Sequence, residues 1–313
     1  MVALSDCKDS NKISTDFPNN YIWGLTFYGK NVSLAVFEHI SQIRSWVISQ
    51  QEQGYSVGFV PTMGALHAGH RSLIELAGRH CDRVVASVFV NPTQFNNSDD
   101  LLKYPRTPEA DHVLLESAGC HALFCPEVSE MYDDGERTRH WDFGLMTHSL
   151  EGHFRPGHFD GVLTIVKKLF IAVGPNKAFF GEKDFQQLAI IKKMTAEEGI
   201  PIEIIAAPTI REASGLAMSS RNVRLGSSDR DASIHISKTL LEARSIGRSQ
   251  PPKVLEKWSY DQLSSAPGLQ LEYCSLVLAS NFASLENWSD EPSVLLVAAY
   301  VGGVRLIDNV IID

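Results

Sequence analysis

The stretch "GFVPTMGALHAGHRSLIELA", Gly58–Ala77, carries an apolar run into a turn at Pro61. Gly64, His67, Gly69 and His70 follow, and then a segment with apolar residues at helical spacing. A short apolar run reads as a buried strand, and apolar residues three and four apart read as one face of a helix. The same alternation continues along the chain. It runs through "RVVASVFV", a helix from about Pro108 to Ala118, "HALFC", a helix over "GVLTIVKKLFIAV", "KAFF", a helix from about Phe185 to Glu198, and "IEIIAAP". Strands alternating with helices predict an α/β fold, a Rossmann-like doubly wound parallel sheet covered on both faces.

Working outward, the spacing of Phe37, Ile40, Ile43 and Val47 predicts a helix from Val32 to Gln53, stopped at Gly54. Residues 1–31 are polar and without period, and read as a tail. After Pro208 the pattern changes to two helical stretches, near Asp229 to Ile246 and after "QPP", and three closely spaced strands, "LEYCSLVL", "VLLVAAYVGG" and "VRLIDNVII". The Gly-Gly pair before the last of these predicts a tight hairpin. The expected organisation is a tail over 1–31, a ligand-binding α/β domain over 32–209, and a smaller α+β domain over 210–313.

Composition narrows the function. With 313 residues, 44% hydrophobic and 21% charged, the chain has ordinary globular character, and its longest apolar runs are far short of a membrane helix. No membrane partner is expected. The start lacks a secretory or transit pattern, so the cytoplasm is the expected location. The five cysteines form no CxxC pair, which argues against a disulfide scaffold or a cysteine zinc site; Cys81 and Cys125 read as small core fillers. A net charge of −9 without a Lys/Arg run argues against nucleic acid.

In an open parallel sheet, ligands bind beyond the carboxyl ends of the strands. "GFVPTMGALHAGH" lies at one such end. Its glycines let backbone approach a ligand, and the following helix start offers free N–H groups to a phosphate. His67 and His70, three apart, could both donate hydrogen bonds to a polyphosphate. Two alternatives stand beside this reading: a capping histidine with a surface one, or a metal pair. The metal reading lacks a third ligand, and HExxH is absent.

Several further motifs follow in order: "FVNPTQF", "YPRT", "EGHFRPGHFDGV", "KLF", "FFGEKDFQQL" and "GLAMSSRN". Together with "PTMGALHAGH" they resemble the pantoate–β-alanine ligase family of HIGH-motif nucleotidyltransferases, over nearly the whole chain from Val32. The resemblance implies an ATP-dependent ligase that makes pantothenate from pantoate and β-alanine through a pantoyl adenylate, with Mg²⁺ accompanying the nucleotide and a homodimer as the working form. It implies a catalytic set of His67, His70, Lys183 and Arg221. ATP is then held by Pro61, Thr62, Met63, Gly64, His67, His70, Gly181, Lys183, Asp184, Met218, Ser219, Ser220 and Arg221, with Gly181 and Asp184 on the ribose. Gln94 and Gln187 take pantoate, with Asn91 beside them. No metal ligand is assigned: Asp99, Asp100 and Asp111 read as solvated carboxylates, able at most to meet Mg²⁺ through water.

These roles suit phosphoryl transfer, which needs positioned donors and cations rather than a nucleophile from the protein. Arg155 and His158 in "RPGHF" have no derivable step. Two positions depart from the family pattern: Ser214 stands where an aspartate is usual, which removes a carboxylate from the hinge, and Phe154 where a smaller residue is expected. The competing readings are another ligase or nucleotidyltransferase of the superfamily, and a nucleotide-binding regulator without catalysis. A tRNA synthetase is disfavoured by the acidic charge.

Overall fold

A computed structural model describes residues 33–96 and 98–313. The tail over 1–31 and Cys7 therefore lie outside the described residues. The first layer is built from β1 (Ala35–Phe37), α1 (Ile40–Glu52), β2 (Val57–Thr62), α2 (Ala68–His80), β3 (Arg83–Val88), the short α3 (Ser98–Leu102), α4 (Pro108–Ser117) and β4 (Ala122–Phe124). Three single-turn helices follow, α5 (Val128–Met131), α6 (Leu145–His148) and α7 (Glu151–Phe154), then α8 (His158–Val173), β5 (Lys177–Gly181), α9 (Phe185–Glu197) and β6 (Glu203–Ala207).

The six strands are all parallel, in the order β1-β4-β3-β2-β5-β6. The predicted doubly wound sheet is thus present. From β2 the chain winds outward through β3 to β4, and from β5 it winds the other way to β6. The switch point, where a crevice must open, is between the carboxyl ends of β2 and β5. Side chains of β2 alternate between two cores. Val57 and Phe59 pack with Ile43 and Val47 of α1 and with α8, while Val60 packs with Ile74 and Ala77 of α2 and Leu115 of α4. At Gly58, in the same strand, a Cβ would press on the Phe179 ring and the Cys81 sulfur at 3.0 and 3.2 Å.

The single helix expected from Val32 to Gln53 is corrected. Ala35–Phe37 pairs in parallel with Ala122–Phe124, and the helix begins only at Ile40. Its first turn has no local cap; the Glu130 carboxylate instead accepts from the Ile40 N–H at 2.8 Å. Of the two cysteines expected in the core, Cys81 is buried and Cys125 only half-buried; Cys120 and Cys274 are buried as well, and burial pushes both thiols up to about 12.

The remaining chain forms α10 (Ser227–Ile246), α11 (Pro252–Ser264) and the antiparallel sheet β7 (Leu269–Leu278), β8 (Ser293–Val301) and β9 (Val304–Ile312). Gly302 and Gly303, both with positive φ, make the predicted two-residue turn between β8 and β9. Along β8 successive side chains take opposite sides. Leu295, Val297 and Ala299 pack under α10 and α11, whereas Val294, Leu296 and Ala298 join the core of the parallel sheet. Residues 33 onward pack as one compact unit. The parallel sheet ends with β6 at Ala207, and the antiparallel sheet begins with β7 at Leu269.

No described helix is long and apolar enough to cross a membrane.

Candidate active site

At the switch point lies a cleft of about 230 Å³. Its walls carry Pro61, Thr62, Met63, His67 and His70 from the β2–α2 turn, Asn91 and Gln94 from the loop after β3, Gly181, Lys183, Asp184 and Gln187 after β5, and Met218, Ser219, Ser220 and Arg221. Every residue nominated from the sequence lines this space except Gly64. Gly64 shapes the turn: its φ is +80°, and a Cβ would meet Asp111 and Val88 at 3.0 Å.

His67 is the N-cap of α2, and its Nδ1 accepts from the Gly69 N–H at 3.1 Å. The Nδ1 of His70 accepts from the His67 N–H at 3.2 Å, closing a reciprocal capping box. A backbone N–H can only donate, so both Nδ1 atoms are unprotonated and any ring proton sits on Nε2. Burial, reinforced by the Lys183 charge, lowers His67 to about 4; burial, then His67 and Lys183, lowers His70 to about 3. Both rings are therefore neutral near pH 7, with centroids 4.2 Å apart and planes tilted by 43°. Capping and ligand donation are compatible here, because one nitrogen of each ring does each job.

Asp111 is corrected from a solvated carboxylate to a buried anchor. It is 3% exposed and accepts from the Ala65 and Leu66 N–H groups at 2.9 and 2.7 Å and from the Thr107 hydroxyl at 3.0 Å. It holds Ala65 at a φ of 50°, unfavourable for a residue with a Cβ. Asp100 is likewise engaged, bridging Arg221 and Arg224 at 2.8 Å each. One carboxylate between two guanidiniums leaves the pair with net positive charge. Ser219 caps the turn that carries Arg221, and the Ser220 hydroxyl donates to the Ala65 carbonyl at 3.0 Å, tying this segment to the histidine turn. Lys183, its side chain 18% exposed, stands 3.8 Å from Asp184.

Asn91 is 1% exposed and saturated. Its amide donates to Gln94 Oε1 and the Gly161 carbonyl at 3.1 and 3.2 Å, and its oxygen accepts from Thr93 and Tyr132 at 3.1 and 2.8 Å. It therefore positions Gln94 and has no group left for a ligand. His158, without a derivable role in the sequence, is buried and bonds through Nδ1 to the Gln94 carbonyl at 2.8 Å; burial, then the Arg155 charge, lowers its pKa to about 3. The glycine in "HFDGV" marked this close approach: at Gly161 a Cβ would run into the Thr93 backbone. Ser214 leaves its turn intact, since its hydroxyl accepts from the Leu216 N–H at 3.4 Å. Phe154 stacks on Tyr273, with ring centroids 5.5 Å apart.

The buried neutral histidines imply acid sensitivity. With folded pKa values below the unfolded 6.5, the unfolded chain takes up more protons as pH falls from about 7 to 4, so stability rises with pH across this window. Glu151 acts in the same direction lower down. Burial opposes its charge, but Arg305 holds it at about 2, so its contribution is lost as pH falls from about 4.5 through 2. Melting temperature should climb steeply between pH 4 and 7; a flat profile would mean that these rings titrate normally.

The family model described as pantoate-β-alanine ligase matches residues 35–311. A pantothenate synthetase of Porphyromonas gingivalis is 46% identical over 278 residues, covering 88% of this chain and 99% of the relative. The solved pantothenate synthetase of Thermus thermophilus superposes with a TM-score of 0.83 at 39% identity, covering 88% of this chain and 99% of that one. A pantoate-β-alanine ligase of Francisella tularensis, solved with an ATP species and β-alanine, superposes with a TM-score of 0.74 at 36% identity, covering 89% and 97%.

Proposed function

The chain belongs to the pantoate–β-alanine ligase family, and from that premise we propose how its cleft carries out the ligation. The enzyme condenses pantoate with β-alanine, consuming ATP and releasing AMP and pyrophosphate. A pantoate carboxylate oxygen attacks the α-phosphorus, and the bond to the β-phosphate oxygen breaks as pyrophosphate leaves. The β-alanine nitrogen then attacks the acyl carbon of the adenylate, loses a proton, and AMP departs.

The observation that carries the assignment of roles is the convergence of His67, His70, Lys183 and Arg221 on the cleft that also holds Gln94 and Gln187. Each histidine, its Nδ1 occupied, presents Nε2–H as a donor to phosphate oxygens. Lys183 and Arg221 neutralise charge that builds on the departing pyrophosphate, and such preorganised donors act most strongly in the transition state. Gly181 leaves bare backbone, with nothing within 4 Å of its Cβ position, where the ribose can approach beside Asp184. Pro61, Thr62 and Met63 face the nucleotide together with Met218, Ser219 and Ser220, which line the same cleft. Gln94 and Gln187 hold pantoate as neutral donors and acceptors, and Asn91 acts through Gln94.

Among the described residues no group of three or more His, Cys, Asp or Glu side chains is placed to hold a metal. This donor set fits Mg²⁺ arriving on the triphosphate, with Asp184, its side chain 47% exposed, able to meet it through water. When bound there, Mg²⁺ supplies further neutralisation of phosphate charge. Residues 210–313 act as the domain covering the cleft. The homodimer is proposed from the family resemblance, and the cytoplasmic location from the expectation stated with the sequence.

The test is exchange of labelled pyrophosphate into ATP with Mg²⁺ present and β-alanine absent. Exchange that requires pantoate is the expected result. Its absence from folded, ATP-binding protein would remove the adenylate mechanism.

A further inference from the structure

Beside the inner cleft lies a second space of about 330 Å³, which shares Lys183, Asp184, Ser219 and Arg221 with it. Arg155 lines this outer cleft, and also a small cavity of about 20 Å³ whose walls include Lys183 and Gln187. It thus stands where the phosphate side and the pantoate side meet. The Pro156-Gly157 turn, with Gly157 at a φ of +78°, fixes the backbone on its carboxyl side.

The ionic surroundings of Arg155 are uneven. Glu151 gives both carboxylate oxygens to Arg305, at 2.8 and 2.7 Å, and also accepts the Tyr273 hydroxyl at 2.7 Å. Arg305 has a second carboxylate in Glu272. Arg155 reaches the same Glu151 through a single nitrogen at 3.3 Å. A guanidinium has five N–H donors in a planar fork, and this one commits one of them to a long contact. Burial works against its charge, Glu151 supports it, and Arg305 and Arg221 oppose it, leaving its pKa below the usual value. The outer cleft therefore presents a cation with spare donors and a shared counter-ion.

The proposed reaction leaves one charged group without a partner. The triphosphate has its cations, and pantoate has its glutamines. β-Alanine must bring a free amine to the acyl carbon, and its carboxylate, two methylenes away, is its only other handle. The geometry points to Arg155 as the residue that receives the acceptor's carboxylate, in the outer cleft that Lys183 also lines, with Gln187 meeting Arg155 at the small cavity. The inference rests on the ligase reading above and extends it to the acceptor: the enzyme selects a short amine that bears an acid.

The two half-reactions separate the test. Arg155→Met should raise the KM for β-alanine by roughly 10–100-fold, the loss of a charge-assisted contact. Pantoate-dependent pyrophosphate exchange, which needs no acceptor, should stay within about threefold and so report intact folding. β-Alaninamide, whose acid is replaced by a neutral amide, should be a poor acceptor for the unsubstituted enzyme, and the preference for the acid should shrink by the same factor in Arg155→Met. Arg155→Lys, keeping charge without the fork, should fall between. An unchanged KM for β-alanine with exchange intact would overturn the inference. So would loss of exchange in the variant, or a raised KM for pyrophosphate in its place, which would assign Arg155 to the phosphates. Failure of exchange in the unsubstituted protein would overturn the ligase reading itself.

Discussion

Lys183→Ala lowers the rate of adenylate formation by on the order of 10²–10³-fold, the usual loss for one preorganised electrostatic donor. The effect should fall on kcat for pyrophosphate exchange more than on the KM for ATP, because the ammonium is needed most as charge moves onto the leaving group. Stability should change little. The partner left behind, Asp184, has a side chain 47% exposed, and the backbone at Lys183 stays fixed by the Asn309 amide, which donates to the Glu182 and Lys183 carbonyls at 2.9 Å. Single-turnover measurement of pantoyl-adenylate formation checks the prediction; near-normal turnover would remove Lys183 from the mechanism.

His70→Ala should cost about as much in rate, and it should also cost stability. The His67 N–H would lose its acceptor at the start of α2, a capping loss of about 1 kcal/mol. The two roles of the ring can be separated by substitution. The amide oxygen of asparagine can take the place of Nδ1, so His70→Asn should recover most of the melting temperature while remaining on the order of 10²-fold slow. Glutamine places its amide farther out, where Nε2 was, so His70→Gln should keep more activity and less stability. If both amides behaved alike in both assays, the capping box and the phosphate donor would not be distinct functions of the two nitrogens.

The sheet was legible because β2, β3 and β5 carry continuous apolar runs with helical periods between them. The edge strand β1 was not: three residues announce no period, and Ala35–Phe37 is a strand only because β4, far along the chain, offers a parallel partner. The start of α1 was hidden for a related reason, since its cap comes from Glu130. In the site, motifs located the wall residues but not what holds them. Asp111 looked like a surface acid of a helix N-terminal turn, and only the fold brings the Ala65 and Leu66 amides onto it. Asn91 was expected beside Gln94 and Gln187 at pantoate. Burial sets it apart, because Asn91 has spent both donors and both lone pairs on protein.

The alternation along β8 bears on how substrates get in. A jaw-like swing of the antiparallel sheet away from the parallel one would bring Val294, Leu296 and Ala298 of β8, with Tyr273 and Val277 of β7, into water. At about 1–3 kcal/mol for each large apolar side chain, that opening costs on the order of 5–10 kcal/mol, as much as many domains have in total. Such a state would be populated at roughly 10⁻⁴ to 10⁻⁷ of the closed one, which makes a full opening the costlier route. Traffic then favours small sliding movements and the polar segments at the rim, notably the one carrying Asp100 opposite Arg221 and Arg224. Evolution can retune turnover there, by exchanging exposed residues, without touching the core that the two sheets share.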